Sequence, residues 1–413
     1  MATAPMQAAL DVRADFPILR RELEGGRLVY LDSSSTSQKP QAVLDALDDY
    51  YRNHNANIHR GVYRLAQEAD ALFEGARERI AAFLNWPAQS TIFTANVTAA
   101  INLVAYSWAR TNLRASDAVL ISEMEHHSNI VPWQLATAAT GAQLRYLEVA
   151  PDGTLSLEQL EAELARGDVA LVALTHVSNV LGTINPVAEI VRRARAAGAL
   201  VLIDGAQAVP QMPVDVAAID ADFYAWTGHK ALGPTGVGVL HARAELLDQM
   251  PPFLSGGDMI ATVESQYSTW NALPWKFEAG TSMIAQAIGL GAAIDYLDVL
   301  GMANVRAHEH ALTAYALERL EQTPGVSLFG PPDAEHRGGV ISFALDGIHP
   351  HDVAELLSRT NVCIRASHHC AQPLMRRLGV VATARASFGP YNVPADVDAL
   401  VDAIEQAQEV FAG

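Results

Sequence analysis

The chain has 413 residues, half of them hydrophobic, so it is long enough to bury one large core and a smaller one. Its 46 acidic and 28 basic side chains give a net charge of −18, which repels nucleic-acid backbones and anionic membranes. Charge interrupts the apolar residues near the N-terminus, and Gly, Pro or charge shortens every later apolar run. We therefore expect a soluble, cytoplasmic protein of two lobes without a nucleic-acid or membrane partner.

The first lobe begins to show a regular pattern near residue 90, where short β-branched runs alternate with longer helical stretches. The predicted elements are a helix over 98–110, strands over 118–122 and 170–175, a helix over 186–197, and strands over 199–203, 222–226 and 236–241. This alternation is typical of an α/β fold with a mostly parallel central sheet flanked by helices.

The second lobe follows a segment over 251–275 that is rich in Gly, Ser, Thr and Pro and predicts an elaborated loop. After Gly301 come a long helical segment, a strand over 339–344 and a last helix over 394–411. We predict a smaller C-terminal α/β domain over 301–413 and a large domain over 26–300. The first 25 residues are expected to form a segment that packs with the small domain.

Polar side chains follow three of the predicted strands of the large domain, and open α/β sheets bind ligands at that edge. Asp204 and Gln207 follow one strand, Lys230 follows the next, and His127 follows a third. A carboxylate that keeps a pyridine nitrogen protonated and a lysine that holds an aldehyde as a Schiff base are what a pyridoxal-phosphate site requires.

Each of these residues has a plainer interpretation when it is taken alone. Asp204 fits a helix N-cap about as well, and Lys230 fits a solvated surface lysine. The pair His126-His127 suggests zinc, but neighbours on a strand point to opposite faces, so we expect no metal site. The combination of residues at one sheet edge carries the prediction.

The chain has two cysteines, Cys363 and Cys370, which cannot form a disulfide framework and fit a reducing compartment. Cys363 alternates with Val362 and Ile364 on a predicted strand, so we expect a packed, inert thiol. Cys370 lies beside His368 and His369 and soon after Arg365, and such neighbours favour a thiolate.

Several long segments resemble the fold-type I, class V aminotransferase family, and within it the group II cysteine desulfurases that serve the Suf route to iron–sulfur clusters. The resemblance covers nearly the whole chain. The segments that carry it are 30–33, 56–61, 125–134, 176–183, 204–207, 227–230, 256–260, 277–281 and 368–375.

The resemblance implies pyridoxal 5'-phosphate as the cofactor. Lys230 would bind it, Asp204 would pair with its ring nitrogen, Gln207 would bond its phenolic oxygen, and His127 would stack on its ring. The phosphate would sit at the start of the helix over 98–110, where free N–H groups favour an anion. Its implied side-chain ligands are Thr98, Thr227, His229 and, from the neighbouring subunit of a homodimer, Thr281.

The resemblance also implies L-cysteine as the substrate, with L-selenocysteine as a further possibility. Arg385 would clamp the substrate carboxylate with help from Asn179, and Arg365 and His59 are also implied in substrate binding. Cys370 would attack the substrate sulfur, which yields L-alanine and a persulfide for a small Suf-type acceptor protein. The loop over 251–275 is a hypothetical dock for that acceptor. His127 would move protons, with Lys230 as the competing base.

The chain departs from the family pattern at three places on the rim of the site. Residues 95–99 lack a glycine, a charge pair and one hydroxyl of the usual phosphate loop, Ser282-Met283 replaces Pro-Asn, and Ala366-Ser367 replaces Thr-Gly. Two other functions therefore stay open. One is a selenocysteine lyase, or another class V aminotransferase or lyase, that does not use Cys370, and the second is a scaffold without cofactor.

Overall fold

The structure is a computed structural model that describes residues 10–24 and 26–412. Its strands are β1 (Glu22–Leu23), β2 (Gly26–Arg27), β3 (Val29–Tyr30), β4 (Thr91–Thr94), β5 (Ala118–Ser122), β6 (Gln143–Leu147), β7 (Val169–Thr175), β8 (Leu200–Asp204), β9 (Phe223–Thr227), β10 (Gly238–Ala242), β11 (Ile260–Val263), β12 (Ser268–Trp270), β13 (Val326–Phe329), β14 (Val340–Leu345), β15 (Val362–Cys363), β16 (Arg365–Ser367) and β17 (Thr383–Ser387). The helices are α1 (Gln41–Asp49), α2 (Arg64–Phe83), α3 (Val97–Leu103), α4 (Arg110–Asn112), α5 (Val131–Thr140), α6 (Leu157–Leu164), α7 (Val187–Ala196), α8 (Val216–Ile219), α9 (Ala244–Gln249), α10 (Ile284–Leu300), α11 (Met302–Glu321), α12 (Pro350–Arg359), α13 (Gln372–Leu378) and α14 (Pro394–Ala412).

The large sheet has the order β4-β10-β9-β8-β7-β5-β6. Strands β6, β5, β7, β8 and β9 run parallel, while β10 is antiparallel to both of its neighbours. Adjacent residues on one strand, such as Val119 and Leu120, enter two different hydrophobic clusters, so both faces of the sheet are covered. The prediction of a mostly parallel α/β sheet is confirmed.

The helix that begins at Val97 continues through a π-helical stretch over Val104–Ala109 into α4. Asn96 caps it, because its side-chain oxygen accepts a hydrogen bond from the Ala99 amide at 2.9 Å. The apolar face predicted from the sequence is buried against the sheet, with Trp108 8% exposed. This packing fixes the start of the helix at the edge where β4 ends.

The small lobe is built on a four-stranded sheet of order β13-β14-β17-β16, in which every pair is antiparallel. Helices α11, α12 and α14 cover one hydrophobic cluster with this sheet. Of the N-terminal segment, residues 10–24 are described: Arg13 lies 3.4 Å from Asp396 of α14, and the Phe16 ring packs 4.7 Å from that of Tyr391. The domain boundaries stay a prediction.

The segment over 251–275 contains a feature that the sequence analysis did not anticipate. Strands β11 and β12 pair as an antiparallel hairpin, with Ile260 opposite Trp270. Over residues 10–24 and 26–412, no single helix is long and apolar enough to cross a membrane, and only α10 and α11 together, bent by 76°, have that length and composition.

Candidate active site

A cavity of about 360 Å³ opens at the carboxyl ends of the parallel strands, as the topology requires. Thr175 ends β7 and Asp204 ends β8, and both side chains line the cavity. Nine of the residues proposed from the sequence line it: Thr98, Asn179, Asp204, Gln207, His229, Lys230, Arg365, Cys370 and Arg385. The fold therefore brings together residues from both lobes.

Lys230 closes a short 3-10 turn, Gly228–Lys230, directly after β9. Burial lowers the pKa of Lys230 to about 8, while the charge of Asp204 opposes that shift. The amine therefore loses its proton at a lower pH than a solvated lysine does, which favours covalent attack on an aldehyde.

Asp204 is a buried carboxylate that lacks a full set of partners. Its Oδ1 accepts a hydrogen bond from the Ala206 amide at 3.0 Å, and burial raises its pKa although Lys230 counteracts this. A buried carboxylate is stabilised by a cation, and a protonated pyridine nitrogen is one. Gly205 is required next to it, because a Cβ there would lie 2.2 Å from the Tyr224 ring.

The end of the cavity at α3 offers hydroxyl and amide donors. Thr98 Oγ1 lies 2.7 Å from Ser128 Oγ. The first backbone hydrogen bond of α3 is donated by the Ala100 amide to the Asn96 carbonyl. Val97 and Thr98 precede that bond and line the cavity, and the first amides of a helix have no partner within the helix, so this end fits a phosphate group.

Two of the implied phosphate ligands do not line this cavity. Thr227 is buried, and its hydroxyl lies 3.5 Å from the Val237 carbonyl oxygen. Thr281 is exposed and lies outside the cavity of its own chain, so its proposed role in a neighbouring subunit stays a prediction.

The structure corrects the choice between the two neighbouring histidines. His126 lines the cavity and its pKa is lowered to about 3 by burial and by the charges of Lys230 and Arg385. His127 begins a 3-10 turn and faces away, with its Nε2 accepting the Gln372 amide at 3.2 Å. Because the chain has left the strand at this point, the alternation of faces does not identify the inward residue. Of the two histidines, His126 is the one that lines the cavity.

Both the nitrogen and the oxygen of the Gln207 side-chain amide have a hydrogen-bond partner. Its Nε2 donates to the Ser34 carbonyl at 2.9 Å, and its Oε1 accepts from Gln211 at 3.3 Å. The second N–H of that amide has no bond of this kind and is available for a phenolic oxygen.

Arg385 has the features of an anion site. Its Nη1 donates to the Asn179 carbonyl at 2.8 Å, and its Nη2 donates to Ser35 Oγ at 2.7 Å. Its Nε is buried without a hydrogen-bond partner. Burial lowers the pKa of Arg385 to about 10, so an anionic partner such as a carboxylate would be strongly favoured.

Cys370 lies on a loop with two successive left-handed residues, His369 at φ 49° and Cys370 at φ 55°. The loop is held by backbone contacts: the His127 amide donates to the Cys370 carbonyl at 2.7 Å, and Asn179 Nδ2 donates to the His369 carbonyl at 2.8 Å. The Asn179 amide is therefore directed to the loop, whereas the sequence analysis assigned it to the substrate carboxylate.

Two further residues lie away from the cavity. Cys363 sits on β15, and burial raises the pKa of its thiol, as expected for an inert cysteine. His59, which the resemblance implied in substrate binding, lies in a separate depression beside Trp275, with its Nε2 3.2 Å from Glu74.

The cavity wall also includes Ser34, Ser35 and Ser367, which the sequence analysis did not select. For Ser34 and Ser35, the serine run shortly after β3 was the available signal.

Among the described residues, no group of three or more His, Cys, Asp or Glu side chains is arranged to hold a metal ion. The fold and the placement of an amine and a carboxylate at the strand ends are those of the fold-type I pyridoxal-phosphate enzymes. The chain belongs to the class-V aminotransferase family, whose model matches residues 29–400.

Known relatives align over nearly the full chain. It is 53% identical to a probable cysteine desulfurase of Streptomyces coelicolor, with 97% of each chain covered. It is 48% identical to a cysteine desulfurase of Escherichia coli, with 97% of this chain and 98% of the relative covered. Among solved structures, the apo cysteine desulfurase of Thermococcus onnurineus matches with a TM-score of 0.92 and 37% identity, over 98% of this chain and 100% of that one.

Proposed function

We propose that this protein is a pyridoxal-phosphate-dependent cysteine desulfurase that converts L-cysteine to L-alanine and passes the sulfur to Cys370. One observation carries the proposal: Cys370 lines the same cavity as Lys230, Asp204 and Arg385. Relatives named cysteine desulfurase, about half identical over the full chain, support the same activity.

The residues present fit the cofactor. Lys230 would bind it covalently, Asp204 would pair with its ring nitrogen, His126 would cover its ring, and Thr98 with His229 would face its phosphate. Bound pyridoxal phosphate supplies an electron sink for the charge that develops at the substrate α-carbon. The buried Asp204 sustains this because it favours the protonated ring nitrogen.

Arg385 would hold the substrate carboxylate through its unpaired Nε, which orients the α-carbon toward Lys230. Lys230, whose pKa burial lowers to about 8, then suits the role of proton carrier at that carbon. His126 stays neutral near pH 7 because burial lowers its pKa to about 3, so it is a poor proton donor. This favours Lys230 over a histidine for the proton transfer.

The Cys370 thiolate attacks the sulfur of the substrate. A bond forms between Cys370 Sγ and that sulfur while the substrate Cβ–S bond breaks, and the electron pair of the broken bond stays with carbon. Protonation of that carbon gives alanine. Arg365 and Arg385 line the same cavity as Cys370.

The decisive experiment uses the two cysteines as a matched pair. The purified protein with pyridoxal phosphate is incubated with L-cysteine, and the persulfide is located by peptide mass spectrometry. We expect the additional sulfur on Cys370, loss of alanine formation in Cys370→Ser, and retention in Cys363→Ser. Selenocysteine turnover that survives in Cys370→Ser would mark the thiol as the sulfur acceptor. Cysteine turnover that survives there would overturn the proposal.

We further propose a cytoplasmic homodimer in which Thr281 of each subunit completes the neighbouring site, and a small Suf-type protein that takes the sulfur for iron–sulfur cluster assembly. Thr281 is exposed and lies close in sequence to Glu278, which is held by Arg77 at 2.6 Å. Sedimentation analysis of the native protein and of Thr281→Ala, with cofactor retention as the second measurement, tests the shared site.

The hairpin of β11 and β12 exposes Val263 and Tyr267, which suits a role as part of the dock for the acceptor protein. Replacing the hairpin with a short Gly-Ser turn should slow persulfide transfer to a small Suf-type acceptor but leave formation of the Cys370 persulfide intact. Unchanged transfer would exclude the hairpin from the dock.

A further inference from the structure

Gln211 forms a hydrogen-bond chain from the small lobe to the wall of the cavity. Its Oε1 accepts a hydrogen bond at 2.9 Å from the amide of Gly339, which lies directly before β14. Its Nε2 donates to Gln207 Oε1 at 3.3 Å, and Gln207 Nε2 in turn donates to the Ser34 carbonyl at 2.9 Å. Both glutamine side chains are buried, so these bonds are shielded from solvent.

The polarity of the two ends of this chain fixes which way each amide points. A backbone N–H only donates and a backbone carbonyl only accepts, whereas a side-chain amide can turn to do either. The Gly339 amide requires the Gln211 oxygen, which leaves the Gln211 nitrogen for Gln207. The Ser34 carbonyl requires the Gln207 nitrogen. The two requirements agree, and the remaining N–H of Gln207 is free for a group in the cavity that Gln207 lines.

This orientation of Gln207 matters because the phenolic oxygen of pyridoxal phosphate carries negative charge. An N–H stabilises an anionic oxygen, whereas an amide oxygen in its place would repel it. The Ser34 carbonyl alone gives the Gln207 side chain one contact, and the last torsion of a glutamine is soft enough to turn about it. The bond from Gln211 removes that freedom.

The surroundings of the chain leave little that could replace the Gln211 donor. A small cavity of about 10 Å³, room for about one water, has Gln207, Gln211, Lys230 and Glu309 in its lining. Burial raises the pKa of Glu309, which favours its uncharged form. Lys230 is committed to the cofactor in the proposed mechanism. Among the described residues, Gln211 is the one hydrogen-bond donor to Gln207 Oε1.

We propose that Gln211 is a positioning residue that holds the Gln207 amide with an N–H toward the phenolic oxygen of the cofactor. It acts through Gln207, because it lies behind the cavity wall and not in it. The inference rests on the proposed function, since it takes Gln207 to contact that oxygen.

The test titrates the visible absorption of the lysine-linked cofactor with pH, in the absence of substrate. An N–H at the phenolic oxygen favours its anionic form and so eases proton loss from the linked nitrogen. In Gln211→Met, which cannot donate a hydrogen bond, the midpoint should rise by about half a pH unit or more, and the dissociation constant of the cofactor by about fivefold. Gln408→Met, which removes a hydrogen bond to the Pro324 carbonyl, is the matched control and should change neither.

Two more variants separate the orientation of Gln207 from packing. If Gln211 acts through Gln207, the double variant Gln207→Met/Gln211→Met should show the midpoint of Gln207→Met alone, because two residues that act on one contact are not additive. Gln211→His should bring the midpoint back toward the native value, because a neutral imidazole has one acceptor and one donor nitrogen.

Three results would overturn the inference: a native midpoint in folded Gln211→Met, a shift that adds fully to that of Gln207→Met, or equal shifts in Gln211→Met and Gln211→His. If Gln211→Met does not fold, Gln211→Asn, which is one carbon shorter, takes its place under the same criteria. L-cysteine turnover of the native protein is measured separately. Its absence would contradict the proposed function, while the titration needs no substrate and still decides the role of Gln211.

Discussion

Lys230 and Cys370 line one cavity, but they are held in very different ways. The Lys230 turn follows a fully buried strand of the large sheet, and the carbonyl of His229 accepts hydrogen bonds from Thr36 at 3.1 Å and Lys39 at 2.8 Å. Cys370 is partly exposed, lies on a loop of the small lobe and has a left-handed backbone. Lys230 follows the sheet directly, whereas the Cys370 loop is held by hydrogen bonds to its backbone and by the buried His369 ring, whose Nε2 lies 3.0 Å from Thr383 Oγ1.

The difference matches the tasks of the two groups. In the proposed mechanism, Lys230 reacts with the same atoms in every cycle, so a rigid position favours it. In that mechanism, Cys370 meets the substrate sulfur in the cavity and then presents that sulfur to another protein. The two successive left-handed residues of the Cys370 loop store backbone strain, and a loop generally opens at a lower free energy than a central sheet does. Substitutions in the fixed Lys230 turn and in the strained Cys370 loop should therefore differ in their effects.

The largest effect should come from the fixed side. Lys230→Ala removes both the covalent partner of the cofactor and the proposed proton carrier, so we expect turnover to fall by about a thousandfold or more. The visible absorption of the lysine-linked cofactor should also disappear. Lys276→Arg is the matched control, since Lys276 donates to the Leu247 and Asp248 carbonyls outside the cavity. Full activity in Lys230→Ala would contradict the assignment.

The second prediction concerns pH. Burial lowers the pKa of Lys230 to about 8, so the neutral, reactive amine is the main form above that pH and declines as the pH falls. Cofactor uptake by the apoprotein should therefore rise about tenfold per pH unit below pH 8 and level off above it. The reaction of pyridoxal phosphate with a free lysine side chain provides the control and should continue to rise toward pH 10. A rise that continues to pH 10 in the protein would mean that the amine is solvated.

The third prediction compares two adjacent residues at the border between the two regions. His126 lines the cavity, whereas His127 bonds to the backbone of the Cys370 loop. Loss of ring packing in His126→Asn should weaken cofactor binding by about tenfold, and His127→Asn should leave it nearly unchanged. Equilibrium dialysis with absorption spectra measures both. The reverse result would restore the assignment made from the sequence.

The buried strands were predictable because they are covered on both faces and therefore read as continuous apolar runs. The bounds of β5 match the prediction at both ends, and Asp204 ends β8 and Lys230 follows β9 at the expected edge. The hairpin of β11 and β12 was missed because its residues are largely exposed and show no apolar alternation. Likewise, the inward histidine was misassigned because His126 precedes a turn, where strand periodicity no longer applies.

The smallest effect should come from the tether of the Cys370 loop. Asn179 Nδ2 donates to the His369 carbonyl at 2.8 Å, and a hydrogen bond of this kind contributes about 1 kcal/mol. Asn179→Ala should therefore speed amide hydrogen exchange in residues 368–371 by about fivefold, while the Lys230 turn keeps its protection. Asn304→Ala, an exposed residue on α11, is the control. A large rise in the KM for L-cysteine with unchanged exchange would instead assign Asn179 to the substrate carboxylate, as the resemblance implied.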